Sequence, residues 1–286
     1  MSAAAFSPVP ASVIAALAGQ LLFVTALPIV LLVWWRRHSR ASLTPAVIGM
    51  VAFLVFAQLL EQVLHYAFLI SDNAVSRAIA ANPGLYVLYA GLAAGLFEET
   101  GRFMAFKYLL RRSGGRETAV SYGLGHGGYE CLAVSGASAL SCLLLALLIN
   151  SGLVPTLLDL FTGDEAALVT QALEQVASIT PMECLWGAFE RAIALLLQVS
   201  LSVLVFASVW QPERGWLYLA AICLHALADF PAAAYQAGLL AGPGGLVAAE
   251  LGTLVVAVLS AWQARRLWAQ LPRAEQLQKN PDSSKQ

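Results

Sequence analysis

The sequence predicts an all-α integral membrane protein, a polytopic helix bundle of about seven transmembrane helices. Its 286 residues are 59% hydrophobic and only 12% charged, with a mean hydropathy of +0.72. Soluble domains carry about 25% charged residues, so this chain has too few to cover a water-facing surface. The lipid bilayer is therefore the first expected partner. The net charge of −1 is uninformative about nucleic acid, but the lack of a basic tract with interleaved aromatic residues argues against it.

Seven apolar runs are long enough to cross a bilayer, which takes about 20 residues of helix. They cover residues 12–35, 45–70, 84–110, 118–149, 184–210, 216–238 and 244–268. Helices are expected because an open sheet edge cannot be satisfied in lipid. We expect one transmembrane domain over 1–272 and a short amphipathic surface helix over 164–178. The polar residues 273–286 are expected to form a disordered cytoplasmic tail.

Basic residues indicate the orientation of these spans. With seven spans, the Lys and Arg residues of the loops fall on one side of the membrane, and only Arg77 falls on the other. The positive-inside rule places the basic side in the cytoplasm. The N-terminus is therefore predicted outside and the C-terminus in the cytoplasm.

Three predicted spans carry ionisable side chains at similar depths in the membrane. The i,i+4 pairs are Glu98/Arg102, His126/Glu130 and His225/Asp229, and Glu99 adjoins the first. A helical rise of 1.5 Å per residue places the carboxylates and histidines about 13–20 Å from the cytoplasmic edge. Charge at this depth costs at least a few kcal/mol, so these faces should meet inside the bundle. The glycines of "GLGHGG" (123–128) would allow that close approach.

This grouping predicts an intramembrane endopeptidase. A Glu–His pair can activate water as a general base, and a second His–Asp pair can stabilise the oxyanion. The expected substrate is a membrane protein or a membrane-associated peptide. No cofactor is the first expectation, and zinc is the alternative. The zinc ligands would be drawn from His126, Glu130, His225 and Asp229.

A non-catalytic membrane protein is the competing hypothesis, either a binding or chaperone-like scaffold or a transporter that uses the same buried groups. The sequence shows no internal repeat of the kind common in transporters. Arg102 and Glu130 are expected to support the site, with Glu190 and Arg191 as a structural or interfacial ion pair at the outer end of the fifth span. Glu61 and His65 are expected to pair or to snorkel toward the outer surface.

Four motifs between Phe97 and Ala233 resemble the YhfC family of bacterial membrane peptidases. They are "FEETGR", "GLGHGGYE", "FERAIALLLQVSLSVLVF" and "LHALADFPAA". That family is related to the type II CAAX prenyl endopeptidases (Abi/CPBP) and to the PrsW-type proteases. The resemblance implies a multi-pass protein of the bacterial cytoplasmic membrane and a glutamic-type peptidase. It further implies that Glu98 or Glu99 is the base, with His126 as its partner.

The resemblance also assigns an oxyanion site to His225 and the residue four positions on, with two departures from the CAAX pattern. The arginine is one residue nearer the glutamates, as E-E-x-x-R, which leaves open whether Glu98 or Glu99 is the base. Asp229 stands where that pattern has asparagine, and an ionised aspartate cannot donate a hydrogen bond to an oxyanion. Asp229 is therefore either protonated or, as we favour, orients His225. Prenylated substrates are not implied.

Overall fold

The computed structural model describes residues 6–274, so the part of the predicted tail from residue 275 onward lies outside the described residues. The helices are α1 (Ala11–Ser39), α2 (Thr44–Val55), α3 (Glu61–His65), α4 (Ala74–Ala81), α5 (Pro83–Met104), α6 (Glu117–Glu130), α7 (Ala137–Asn150), α8 (Val154–Leu158), α9 (Gly163–Ser178), α10 (Pro181–Trp210), α11 (Trp216–Gln236) and α12 (Gly242–Trp268). Four π-helical segments continue these helices at Phe56–Leu60, Tyr66–Ile70, Ala105–Leu109 and Cys131–Gly136.

The predicted membrane spans are confirmed as helices. Six are long and apolar enough to cross a bilayer within the described range: Ala11–Ser39, Thr44–Ile70, Glu117–Asn150, Pro181–Trp210, Pro212–Gln236 and Gly244–Trp268. The remaining predicted span corresponds to Pro83–Leu109, which meets Ala74–Ala81 at an angle of 114°. The chain is thus a multi-span α-helical membrane protein. Which side each terminus faces stays a prediction.

Two asparagines fix the bend before the helix that carries the glutamates. The Asn73 side chain accepts hydrogen bonds from the backbone of Val75 and Ser76, which caps α4. The Asn82 side chain caps α5 in the same way, with Pro83 at the first helical position. A residue before proline disfavours the α conformation, whereas proline suits the first turn. The Asn82–Pro83 step therefore ends one helix and starts the next.

The chain divides into two compact units. The first holds residues 6–27 and 131–192, with a core that includes Val13, Leu17 and Cys184. It contains α9, which confirms the helix predicted near 164–178, and buries one face of that helix. The single domain predicted over 1–272 is not tested by this division and stays a prediction.

The second unit holds residues 28–130 and 193–274 and contains the glutamates. In this unit α5 and α12 pack on α11, and α2 packs on α6. Glycine allows the close approach of α5 to α11. A Cβ atom on Gly91 would lie 2.6 Å from the Phe230 ring, and one on Gly95 would lie 2.8 Å from the Ile222 carbonyl oxygen. These glycines hold the Glu98 turn against the helix that carries His225.

The glycines of α6 serve the same purpose on two faces. A Cβ atom on Gly125 would lie 2.0 Å from the Ala46 carbonyl oxygen in α2. On Gly127 it would lie 2.9 Å from the Gln198 Cβ atom in α10. Because Gly125 meets α2 backbone and Gly127 meets the Gln198 side chain, His126 has little freedom to move relative to either neighbour.

Gly125→Ala is expected to destabilise the protein by about 1–3 kcal/mol or more, because the added methyl would overlap α2 backbone. Gly19→Ala is the matched control, since nothing lies within 4 Å of a Cβ atom there. Alanine should stabilise that helical position by up to about 1 kcal/mol. Thermal unfolding in detergent micelles would measure both changes. Equal midpoints for the two variants would contradict the close approach of α2 and α6.

Candidate active site

Glu98 lies where α5, α6, α10 and α11 meet within the second unit. Its Oε2 atom is 2.9 Å from His126 Nε2 and 3.9 Å from His225 Nε2. Glu98 is 7% exposed, His126 is fully buried and His225 is 3% exposed. The predicted meeting of carboxylate and imidazole groups in one layer is therefore confirmed as geometry.

Glu99 occupies a different position from Glu98 although the two are adjacent in the chain. Both of its carboxylate oxygens accept hydrogen bonds from Arg102 Nη1, at 2.6 and 2.7 Å. Its Oε1 atom also lies 2.7 Å from His225 Nδ1. Glu99 and Arg102 are both completely buried. Glu99 therefore pairs with Arg102 and hydrogen-bonds His225, whereas Glu98 faces both His126 and His225.

The hydrogen bond that orients His225 is made to Glu99 rather than to Asp229. Asp229 Oδ2 lies 3.6 Å from His225 Nε2, which is ion-pair range but too long for a hydrogen bond. The expectation that Asp229 orients His225 is therefore corrected. The reason is the tertiary packing of α5 on α11, which brings Glu99 to the other ring nitrogen.

Glu61 pairs with the histidine that lies one turn along its own helix. Its side chain is 8% exposed and lies 3.3 Å from His65 Nε2, so the pairing with His65 is confirmed. His65 Nδ1 in turn lies 2.8 Å from the Tyr89 hydroxyl.

Gln198 is a residue that the sequence analysis missed. It lies on α10, is 2% exposed, and contacts Arg102, Glu98 and Glu130. Its one sign in the sequence is an amide in the apolar run "AIALLLQV", which has no ionisable group and no spacing pattern to mark it. Its contact also brings Glu130 into the site, as predicted from the i,i+4 spacing with His126.

Glu190 and Arg191 belong to the other compact unit. They form a direct ion pair with each other, and the Arg191 Nε atom donates to Glu190 at 3.0 Å. The structural salt bridge expected from the sequence is confirmed. A supporting role for this pair in the chemistry stays a prediction.

The donor atoms of the site suit zinc in their chemistry. Imidazole nitrogens and carboxylates are the usual ligands of catalytic zinc. His225 also has the outer hydrogen bond typical of a ligand, because Glu99 holds Nδ1 and leaves Nε2 toward Glu98. His126 Nδ1 has no such partner among residues 6–274. Within the same residues, no three His, Cys, Asp or Glu side chains are arranged to hold a metal ion.

The fold and the site define a multi-pass membrane protein with a buried centre of carboxylates and histidines. Comparison with known proteins then identifies the family. A family model described as "YhfC intramembrane metalloprotease" matches residues 23–249. The chain belongs to this YhfC family.

A curated relative supports the same assignment. The "Uncharacterized membrane protein YhfC" of Bacillus subtilis (strain 168) is 35% identical over 252 residues, which are 88% of this chain and 94% of the relative. No solved structure matches the chain. The family description is that of a protease, which favours the peptidase hypothesis over the scaffold and the transporter.

Proposed function

We propose that this protein is an intramembrane endopeptidase in which Glu98 is the general base and His126 holds it in place. The observation that carries the proposal is the position of Glu98 Oε2, 2.9 Å from His126 Nε2 and 3.9 Å from His225 Nε2 in a buried setting. Glu99 is the weaker candidate because Arg102 and His225 already occupy both of its oxygens. The substrate would be a membrane protein or a membrane-associated peptide.

The reaction would be hydrolysis of a peptide bond. Glu98 takes a proton from water as the water oxygen bonds to the carbonyl carbon, and the carbonyl oxygen becomes an oxyanion. Glu98 then returns the proton to the amide nitrogen as the C–N bond breaks. General-base assistance of this kind contributes about 10²–10⁴-fold to the rate.

His225 would serve the oxyanion through the nitrogen that Glu99 leaves available. Glu99 can only accept while it is paired with Arg102, so His225 Nδ1 must be the donor in their 2.7 Å contact. In the imidazolium form, Nε2 also carries a proton and can donate it to the oxyanion in a hydrogen bond. In the neutral form, Nε2 carries a lone pair and would be a metal ligand.

The family description names a metalloprotease, which supports a metal-dependent version of the same proposal, with zinc as the expected metal. Its ligands would be drawn from His126, Glu130, His225 and Asp229, so that Glu98 stays the general base. A bound zinc ion would polarise the carbonyl and acidify its water. Glu99 would keep its role in either version, because it fixes the ring of His225.

The test is cleavage of a library of peptides and membrane proteins by the purified protein in proteoliposomes. His126→Ala is expected to lower cleavage by at least about 10²-fold, since it removes the partner of the base. Glu174→Gln, on the exposed face of α9, is the matched control and should retain the wild-type rate. If wild type cleaves nothing, or if His126→Ala cleaves as wild type does, the peptidase proposal is wrong.

A chelator arm of the same assay separates the two versions. Loss of wild-type cleavage on chelation, followed by recovery with zinc, would establish the zinc-dependent version. Unchanged cleavage after exhaustive chelation, together with no zinc in the purified protein by elemental analysis, would establish the metal-free version.

A further inference from the structure

Gln198 makes three polar contacts inside the second unit. Arg102 Nη2 donates to its Oε1 atom. Its Nε2 atom donates to Glu98 Oε2 at 2.9 Å and to Glu130 Oε2 at 2.7 Å. A primary amide has one carbonyl oxygen and two N–H donors, so these contacts use both of its donors and its oxygen.

The direction of this amide is determined by its neighbours. Arginine can only donate, and ionised carboxylates can only accept. The oxygen of Gln198 must therefore face Arg102, and the nitrogen must face Glu98 and Glu130. The reverse orientation would set two donors against each other at Arg102 and would set an oxygen against two carboxylates. Gln198 thus has one satisfied orientation at full burial.

The backbone holds Gln198 at this point. Gly127 of α6 lies against it, and a Cβ atom on Gly127 would lie 2.9 Å from the Gln198 Cβ atom. The Ser202 hydroxyl, one turn further along α10, donates to the Gln198 carbonyl oxygen at 2.7 Å. The side chain therefore starts from a tightly packed backbone position, which limits its rotamers.

Gln198 also joins two parts of the site by hydrogen bonds, which His225 otherwise links only through its 3.9 Å approach to Glu98. On one side is the ion pair of Glu99 and Arg102, and on the other is Glu98 with its histidine. Both hydrogen bonds that Glu98 makes with the described residues, from His126 and from Gln198, end on Oε2. This leaves Oε1 to accept the proton from water.

We propose that Gln198 is a positioning residue that holds the Glu98 carboxylate in its reactive orientation and couples it to the buried Arg102. This inference rests on the proposed peptidase function. It assigns Gln198 no contact with the substrate. Its effect should appear in the turnover rate rather than in substrate binding.

The experiment compares two substitutions of Gln198 in proteoliposomes. Gln198→Glu keeps the shape and the acceptor for Arg102 but removes both donors, whereas Gln198→Leu removes all three polar groups. Both are expected to lower kcat by about 10–100-fold, the range for loss of an outer-shell partner, with KM within about twofold of wild type. The exposed Gln175 supplies the controls Gln175→Glu and Gln175→Leu, which should match wild type.

The outcomes separate this inference from the peptidase proposal. Wild-type cleavage that His126→Ala abolishes, together with wild-type kcat in both Gln198 variants, would overturn the positioning role alone. A fall in kcat that the loss of folded protein accounts for, measured by thermal unfolding and active fraction, would also overturn it. Absence of cleavage by wild type would overturn both.

Discussion

Glu98→Gln is expected to lower kcat/KM for peptide cleavage by about 10²–10⁴-fold, the contribution of a general base, while the fold is retained. Glutamine has the size of glutamate but cannot take a proton from water. Its amide oxygen can replace Oε2 and keep the hydrogen bonds from His126 and Gln198. The loss should therefore be one of chemistry rather than of structure.

The measurement is kcat/KM in proteoliposomes beside the thermal unfolding midpoint of the same preparation. Glu99→Gln is the informative comparison, because it makes the same carboxylate-to-amide change at the neighbouring residue. We expect it to lower activity together with stability, since it weakens the contacts to Arg102 and His225. A stable Glu99→Gln protein without activity, beside an active Glu98→Gln protein, would assign the base to Glu99 instead.

Glu99→Leu is expected to lower the free energy of unfolding by about 3–5 kcal/mol, the usual cost of removing one partner of a buried ion pair. Glu99 and Arg102 are both completely buried, and Arg102 Nη1 contacts both oxygens of Glu99. Without Glu99, the guanidinium keeps its hydrogen bond to the Gln198 oxygen but loses its ion pair. An uncompensated charge in a protein interior is far more costly than a missing hydrogen bond.

Two further variants make this prediction specific to burial. Asp72→Leu breaks the ion pair with Arg77, whose side chains are 86% and 65% exposed, and should cost less than about 1 kcal/mol. The double variant Glu99→Leu/Arg102→Met replaces the buried pair by apolar groups and should recover much of the loss. Unfolding by SDS titration in mixed micelles would measure all three. Equal losses for Glu99→Leu and Asp72→Leu would contradict the prediction.

Hydropathy and spacing predicted much of the architecture. Each predicted span corresponds to a helix, because about 20 apolar residues in lipid can satisfy their backbone only within a helix. The i,i+4 spacing correctly placed His126 with Glu130 on one helix face, and shared depth correctly brought Glu98 toward two histidines. Run length, residue spacing and depth along a helix can all be counted along a single sequence.

The errors concern contacts between helices. The orienting role expected of Asp229 belongs to Glu99, whose Oε1 atom lies 2.7 Å from His225 Nδ1, whereas Asp229 Oδ2 lies 3.6 Å from Nε2. Gln198 was overlooked because a single amide in an apolar run has no spacing signal.

By itself, the sequence determined that the chain is a multi-span helical membrane protein and that carboxylates and histidines share one layer within it. The burial cost of those side chains required that they meet, since no lipid-facing position could satisfy them. Only the tertiary structure distinguished the two adjacent glutamates. They differ because successive residues of a helix point about 100° apart, so α11 and Arg102 engage Glu99, while α6 and α10 engage Glu98. That division depends on which helices pack on each side of α5.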